Sequence, residues 1–308
     1  LKLDPETLKQ RSTFFQKVRQ FFLDSDYLEV DTPHLVRHPS LEPFLDPYCI
    51  ELEQKLHGVL ITSPEFALKK ILSRDSPKIF EIAHAYRKDE PGCWHTSEFR
   101  MLEWYTIDQT LDQLISQSKD LLKLFFPDLN AQTIELQDWF EKNFGHGFEQ
   151  ERMQKTLIDQ GVEQVKNMDF NELFFRLFLP TESKLNELGI VFLKGYPEEL
   201  CAYATTQAGL AQRFEIYIEG TEVANAYLEE KDPERLQQLL ETEQNQRLKL
   251  NKDTFEIDIE FVNALKDFTE PISGIAMGLD RVFALSIGKH ELAHTSPFSN
   301  FNRLSQEG

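Results

Sequence analysis

Two long stretches of this sequence alternate as half-buried strands do, and each is broken by a turn. Ile79–Arg87 and Glu98–Tyr105 flank a charged loop, Lys88–Ser97, that contains Pro91-Gly92, while Arg213–Tyr227 is interrupted at Glu219-Gly220. Hairpins of this length pair antiparallel strands. No strand–helix alternation with a Gly-rich first turn is present, so a doubly wound dinucleotide-binding sheet is disfavoured. Further short strands are predicted at Tyr27–Thr32, Gly58–Thr62 and Gly189–Leu193. Helical spacing of Phe14, Phe15, Val18, Phe21 and Phe22 predicts a first helix over Pro5–Asp24, and Ser63-Pro64-Glu65 opens a second that runs to Leu72. Further helices are expected at Leu111–Phe126, Leu136–Phe144, Asn171–Leu179, Glu234–Leu250 and Ile257–Asp267, followed by a Gly-rich turn, Ser273–Arg281, and a last helix. The order predicts an α+β fold, a mainly antiparallel sheet flanked by helices, as a single domain over residues 1–308.

Charge narrows the function. The 308 residues carry a net charge of −19, which argues against a protein that grips nucleic acid mainly by neutralising phosphates. No apolar run approaches the roughly 18 residues of a membrane span. Cys49, Cys93 and Cys201 form no CxxC pair, so neither a disulfide framework nor a zinc ribbon is indicated. A reducing, cytoplasmic setting fits this usage.

Three segments can carry chemistry. On the first hairpin, Glu81, Ala83, Ala85 and Arg87 share one face of their strand, and Phe99, Met101, Glu103 and Tyr105 one face of the other. An arginine, an aromatic ring and a carboxylate on one sheet face could hold a triphosphate, a purine and an ammonium group; an ordinary solvated hairpin has the same pattern. In the second hairpin a two-residue turn at Glu219-Gly220 sets Tyr217 opposite Glu222 and makes Glu215 a diagonal neighbour of Glu222. Two such carboxylates suit Mg²⁺ with phosphate, or they are simply exposed acids. Asn225, Tyr227 and Glu229 alternate onto the other face unless a bulge intervenes. In the third segment Gly274 and Gly278 permit close backbone approach, and Arg281 follows in the first turn of an apolar helix. His290-Glu291-Leu292-Ala293-His294 matches the HExxH zinc pattern, but Pro297 lies just downstream and no third ligand is evident.

Taken together these segments resemble the signature motifs of class II aminoacyl-tRNA synthetases of the lysyl branch. Phe21–Pro33 is similar to motif 1, Phe80–Tyr105 to motif 2 and Gly274–Arg281 to motif 3. Lysyl-type marks stand at Thr62–Glu65, Glu98–Tyr105 and Glu222–Glu229. The sequence starts almost at motif 1, where lysyl synthetases first carry an anticodon-reading OB-fold, so no such fold is expected, and Ala276 stands where lysyl synthetases have glycine. In both respects it resembles the truncated lysyl-tRNA synthetase paralogues that modify elongation factor P. The family departs from this sequence at Lys88-Asp89, Trp94, Thr96-Ser97 and Ala226-Tyr227.

The resemblance implies an ATP-dependent homodimeric ligase that adenylates a lysine-type amino acid, lysine or β-lysine, and joins it to a lysine of elongation factor P. Under it Arg87 and Arg281 are catalytic and hold ATP together with Asp89, His95, Phe99 and Glu215. Glu215 and Glu222 carry Mg²⁺. Glu65, Glu103, Tyr105, Asn225, Tyr227, Glu229 and Ala276 shape the amino-acid pocket. A single methyl at Ala276 is worth only about 1–3 kcal/mol of discrimination. The missing OB-fold argues against tRNA as partner, and Lys2, Lys9, Arg11, Lys17 and Arg19 offer either a basic docking stripe or a merely solvated face. Two rivals remain at this stage, a lysyl-tRNA synthetase catalytic fragment and a lysine-sensing paralogue without catalysis; the intact phosphate arginines argue against the second.

Overall fold

The first helix, α1 (Pro5–Leu23), begins where Asp4 accepts a hydrogen bond from the Glu6 amide and Pro5, with no N–H to lose, fills the first turn. It buries Phe14, Val18 and Phe22, one residue per turn, and Phe22 stacks on Phe80 at 4.8 Å and tilts against Trp104 at 5.0 Å. The structure is a computed structural model that describes residues 4–53, 55–88, 92–128 and 130–295. It divides into two units, Leu1–Thr110 with Glu229–Gly308, and Leu111–Leu228.

In the first unit β1 (Leu28–Glu29) follows α1. Next, β2 (Leu35–Val36), β3 (Cys49–Leu52) and β4 (Lys55–Leu60) form a small antiparallel sheet in the order β2-β4-β3. Helix α2 (Glu65–Ile71) leads to the long hairpin β5 (Lys78–Tyr86) and β6 (Glu98–Ile107), as the alternation predicts. The chain then builds the second unit from α3 (Leu111–Lys123), β7 (Ala131–Glu135), α4 (Leu136–Phe144), α5 (Gln150–Asp159), α6 (Phe170–Glu182), β8 (Ile190–Pro197), β9 (Thr206–Gln207), β10 (Leu210–Ile218) and β11 (Thr221–Leu228). Its strands run β11-β10-β8-β7, antiparallel except for the parallel pair β7/β8. A full capping box at Asp169 and Glu172 starts α6, and Phe174 stacks on Phe140 of α4 at 5.1 Å.

The chain returns to the first unit as α7 (Pro233–Lys249), α8 (Ile259–Val262), β12 (Ile272–Gly278) and α9 (Leu279–Ser286). Two expectations are revised here. Residues 257–267 do not form one helix: Asp258 caps Phe261, but the helix stops at Asn263, whose side-chain amide donates back to the Ile259 carbonyl. The Gly-rich segment is a strand, not a turn; β12 pairs antiparallel with β6, with Gly274 opposite Tyr105 and Ala276 opposite Glu103. The strands β1, β5, β6 and β12 thus form a sheet whose near end packs on α2 through Leu68, Leu72, Ile79, Tyr105, Leu265 and Ile272.

Candidate active site

The β5/β6 register places the expected residues on one face. Glu81 lies opposite Glu103, Ala83 opposite Met101 and Ala85 opposite Phe99, and the Arg87 amide continues the ladder by donating to the Ser97 carbonyl at 3.0 Å. The Arg87 guanidinium sits 5.1 Å from the Phe99 ring centre, so the phosphate-type arginine and the stacking-type ring are neighbours. The loop that follows is tied to α9, because Arg281 Nε donates to the Trp94 carbonyl at 3.2 Å. Asp280, beside Arg281, accepts from the Arg100 amide at 2.6 Å and pairs with Arg11 at 2.6 Å. These contacts fix the start of α9 against β6 and α1. His95 belongs to the same loop, and its amide donates to the Gly92 carbonyl at 3.4 Å. Asp89 lies outside the described residues.

Beside that face is a buried pocket of opposed charges. Just ahead of α2, Ser63 Oγ accepts from the Glu65 amide at 3.0 Å and donates to Glu103 Oε1 at 2.5 Å. Tyr105 Oη donates to the other Glu103 oxygen at 3.1 Å. Glu103 is fully buried. Burial pushes its carboxyl up to about 8, with a further push from Glu65, against the pull of Ser63, Tyr105 and Lys69. Glu229 is 1% exposed, and its Oε1 accepts no hydrogen bond among the described residues. Lys69 Nζ lies 2.6 Å from Glu229 Oε2 and 2.6 Å from Glu65 Oε1. Burial drags the Lys69 ammonium down, but the two carboxylates outweigh it and hold it above the usual range. Gly274 closes one side of the pocket, since a Cβ there would fall within 3.0 Å of Glu229 Oε1 and of the Tyr105 ring.

In the second unit the two-residue turn has both Glu219 (φ 48°) and Gly220 (φ 72°) in the left-handed region, as a tight hairpin requires. The bulge on which the sequence reading depended is present. Glu215 pairs with Asn225 and Ile216 with Ala224, but Tyr217 pairs with Glu222, so Val223 is the extra residue. Glu215, Glu222, Asn225 and Tyr227 therefore share a face. Arg213, opposite Tyr227, donates to Glu215 Oε1 at 2.6 Å and to Asn225 Oδ1 at 2.9 Å, while Tyr196 Oη reaches Glu215 Oε2 at 2.6 Å. Tyr217 Oη lies 2.7 Å from the same Glu215 oxygen. The Arg213 guanidinium rests 4.4 Å from the Tyr196 ring centre.

Carboxylate oxygens suit a hard divalent cation, so Glu215 and Glu222 fit Mg²⁺ by donor type, while both Glu215 oxygens are engaged here, Oε1 by Arg213 and Oε2 by Tyr196 and Tyr217. Among the described residues the one group of three or more with metal-ligand spacing lies elsewhere, at Asp31, His34 and Glu81, and Glu81 already accepts from the Thr32 amide and hydroxyl. The HExxH pattern is not a helix: Glu291 is extended and Leu292–His294 is a single 3-10 turn, so the one-turn spacing of two zinc histidines is lost. On α1, Arg11 and Arg19 are taken by Asp280 and Glu29, which leaves Lys9 and Lys17 of the described basic stripe.

Sequence reasoning missed Lys69, Ser63, Arg213 and Tyr196. Lys69 was the most findable, because it stands four residues after Glu65 on a helix, the spacing of an ion pair.

A family model described as "tRNA synthetases class II (D, K and N)" matches residues 4–302. An Aquifex aeolicus protein named elongation factor P–(R)-beta-lysine ligase homolog is 37% identical over 284 residues, 91% of this chain and 94% of the relative. Proteins named elongation factor P–(R)-beta-lysine ligase from Vibrio vulnificus and Hamiltonella defensa are 30% and 28% identical, each over more than nine-tenths of both chains. With both hairpins and the β12–α9 segment in the family order, the chain belongs to the class II tRNA synthetase family and is an ATP-dependent ligase of that family.

Proposed function

We infer that the protein activates a lysine-type amino acid, with β-lysine preferred, as its aminoacyl-adenylate and transfers it to the ε-amino group of a lysine on elongation factor P. Both units act as one catalytic domain, in a cytoplasmic homodimer. The observation that carries this reading is Glu229: a buried carboxylate with an oxygen lacking any hydrogen bond among the described residues is matched by an ammonium group. The names of the similar ligases point to the same substrates.

In this reading Glu229 receives the distal ammonium, and Glu65 receives the amino group nearer the carboxyl end. Glu103 and Tyr105 form the wall between them, and the Ala276 methyl, opposite Glu103 in the β6/β12 ladder, shortens the space available. Phe99 stacks on adenine, and His95 and Asp89 contact the nucleotide. Arg87 bridges the amino-acid carboxylate and the α-phosphate, while Arg281 holds the γ-phosphate end. The carboxylate oxygen attacks the α-phosphorus as its bond to pyrophosphate breaks, and the arginines offset the charge that develops. Mg²⁺ held by Glu215 and Glu222 would supply charge neutralisation for the phosphates. The acceptor amine then attacks the mixed anhydride and AMP leaves. No side-chain nucleophile is required; alignment supplies most of the acceleration.

Amino-acid-dependent exchange of pyrophosphate into ATP tests the first half. Exchange that favours β-lysine and disappears in Arg87→Ala is expected. Exchange with α-lysine alone would return the reading to a tRNA synthetase, and no exchange by a folded protein would reject it.

A further inference from the structure

Lys69 stands among Glu65, Glu103, Tyr105 and Glu229, carries the same charge as the proposed substrate, and is 2% exposed. Lysine is among the residues least often buried, and then only when paired. Here the pairing is double: Nζ stands 2.6 Å from Glu65 Oε1, one turn back on α2, and 2.6 Å from Glu229 Oε2. The Tyr105 and Phe261 rings flank it, with centres 5.7 and 5.5 Å away. We propose that Lys69 is a positioning and specificity-determining residue, which orients the Glu65 and Glu229 carboxylates and sets the pocket's charge to match an amino acid with one excess ammonium. This rests on the proposed function of the same pocket.

The groups around Lys69 among the described residues come from several elements. Helix α2 supplies Glu65, β6 supplies Glu103 and Tyr105, and the segment after β11 supplies Glu229; α8 supplies Phe261, while its neighbour Asp258 is paired with Lys70 on the outer side of α2. β12 sets Gly274 opposite Tyr105 and Ala276 opposite Glu103. Glu103, pushed up to about 8 first by burial, is mostly neutral at neutral pH. Burial, with a push from the neighbouring Glu65, raises Glu229 to about 7 against the pull of Lys69, so the Lys69 ammonium is what keeps Glu229 available as a carboxylate for a substrate ammonium. Without Lys69 the two carboxylates would repel, and Glu229, already pushed up by burial, would hold a proton in place of a substrate ammonium. Lys69 does not occupy the ligand's place, since Glu229 Oε1 stays without a hydrogen bond among the described residues.

The test compares Lys69→Met and Lys69→Arg with the wild type in pyrophosphate exchange between pH 6 and 9. The substrates are the lysine isomer that the wild type prefers and norleucine, in which a methyl replaces the ammonium. Lys69→Met is expected to raise the KM for lysine on the order of 100-fold at pH 7. The loss should shrink as pH rises and Glu229 ionises, the KM for ATP should hold, and the preference for lysine over norleucine should fall. Lys69→Arg keeps the charge and is expected to keep that preference. A folded Lys69→Met with an unaltered KM and pH profile, or with a loss confined to kcat, would overturn the proposal. Should Lys69→Met not fold, Lys69→Arg decides: preference lost at an unchanged melting temperature overturns it, preference kept supports it. A wild type with no lysine-dependent exchange would instead reject the proposed function.

Discussion

Gly274→Ala probes the pocket wall with one methyl. Gly274 sits in a strand with ordinary backbone angles, so the substitution meets no conformational penalty of its own and the cost is steric. The new Cβ would come within 3.0 Å of Glu229 Oε1 and of two Tyr105 ring atoms, closer than real Cβ contacts. Neither neighbour is a flexible surface group: Tyr105 is 3% exposed and tethered to Glu103 at 3.1 Å, and Glu229 is paired with Lys69 at 2.6 Å. Overpacking of a dense interior costs about 1–3 kcal/mol, and two constrained neighbours place this site at the upper end. If the strain is relieved by pushing Glu229 away from the ligand position, about 3 kcal/mol corresponds to a rise of more than 100-fold in the KM for the amino acid. Pyrophosphate exchange, with ATP and amino acid varied separately, reads this directly. The KM for ATP should change little, because the new Cβ meets Glu229 and Tyr105, which the reading gives to the amino acid, and the melting temperature should drop by a few degrees. A variant with wild-type amino-acid KM and wild-type melting temperature would refute the steric argument and the placement of Glu229 in the pocket.

Other predictions follow from the same contacts. Ala276→Gly removes the methyl opposite Glu103 and should move the preference from β-lysine toward α-lysine by no more than about 1–3 kcal/mol, read as a ratio of kcat/KM values. Glu103→Gln tests the buried carboxyl. Its folded value of about 8 lies above the ordinary 4.5, so its stabilising contribution is full below about 4.5 and is lost as pH rises through about 8. The stability of Glu103→Gln relative to wild type, from denaturant unfolding, should therefore climb across that window, with a slope on the order of 1 kcal/mol per pH unit at most; a flat difference would mean that the carboxyl does not titrate there. Asp280→Ala frees the Arg100 amide and Arg11 and loosens the start of α9, so the KM for ATP should rise more than that for the amino acid; equal rises would count against a nucleotide-side role for Arg281.

Local pattern made much of the architecture legible. The helix over α1 was written by Pro5 and by the spacing of Phe14, Val18 and Phe22; the shared face of Arg87, Phe99 and Glu103 was written by strand alternation. What escaped depended on partners distant in sequence. The extra residue at Val223 has no local signature, because a bulge is defined against the opposite strand, yet it brings Asn225 and Tyr227 to the face of Glu215 and Glu222. Ser273–Gly278 reads as a turn by its glycines, but Gly274 is there because Tyr105 and Glu229 fill the space of a side chain. Helix α5 went unseen because only Met153 and Leu157 of its ten residues are buried, too thin an apolar stripe to stand out. Lys69 reads as a surface ion pair with Glu65, and only Glu229, far along the chain, turns that pair into a buried cluster.

The central claim, that this ligase joins a lysine-type amino acid to a protein lysine, is tested most directly on the acceptor. Elongation factor P would be incubated with the protein, ATP and β-lysine, and the intact mass and peptide map then recorded. The account predicts a mass increase of one lysyl residue on a single lysine side chain, dependent on ATP and absent with Arg87→Ala. An unmodified elongation factor P alongside aminoacylated tRNA, under conditions where the adenylate forms, would contradict it.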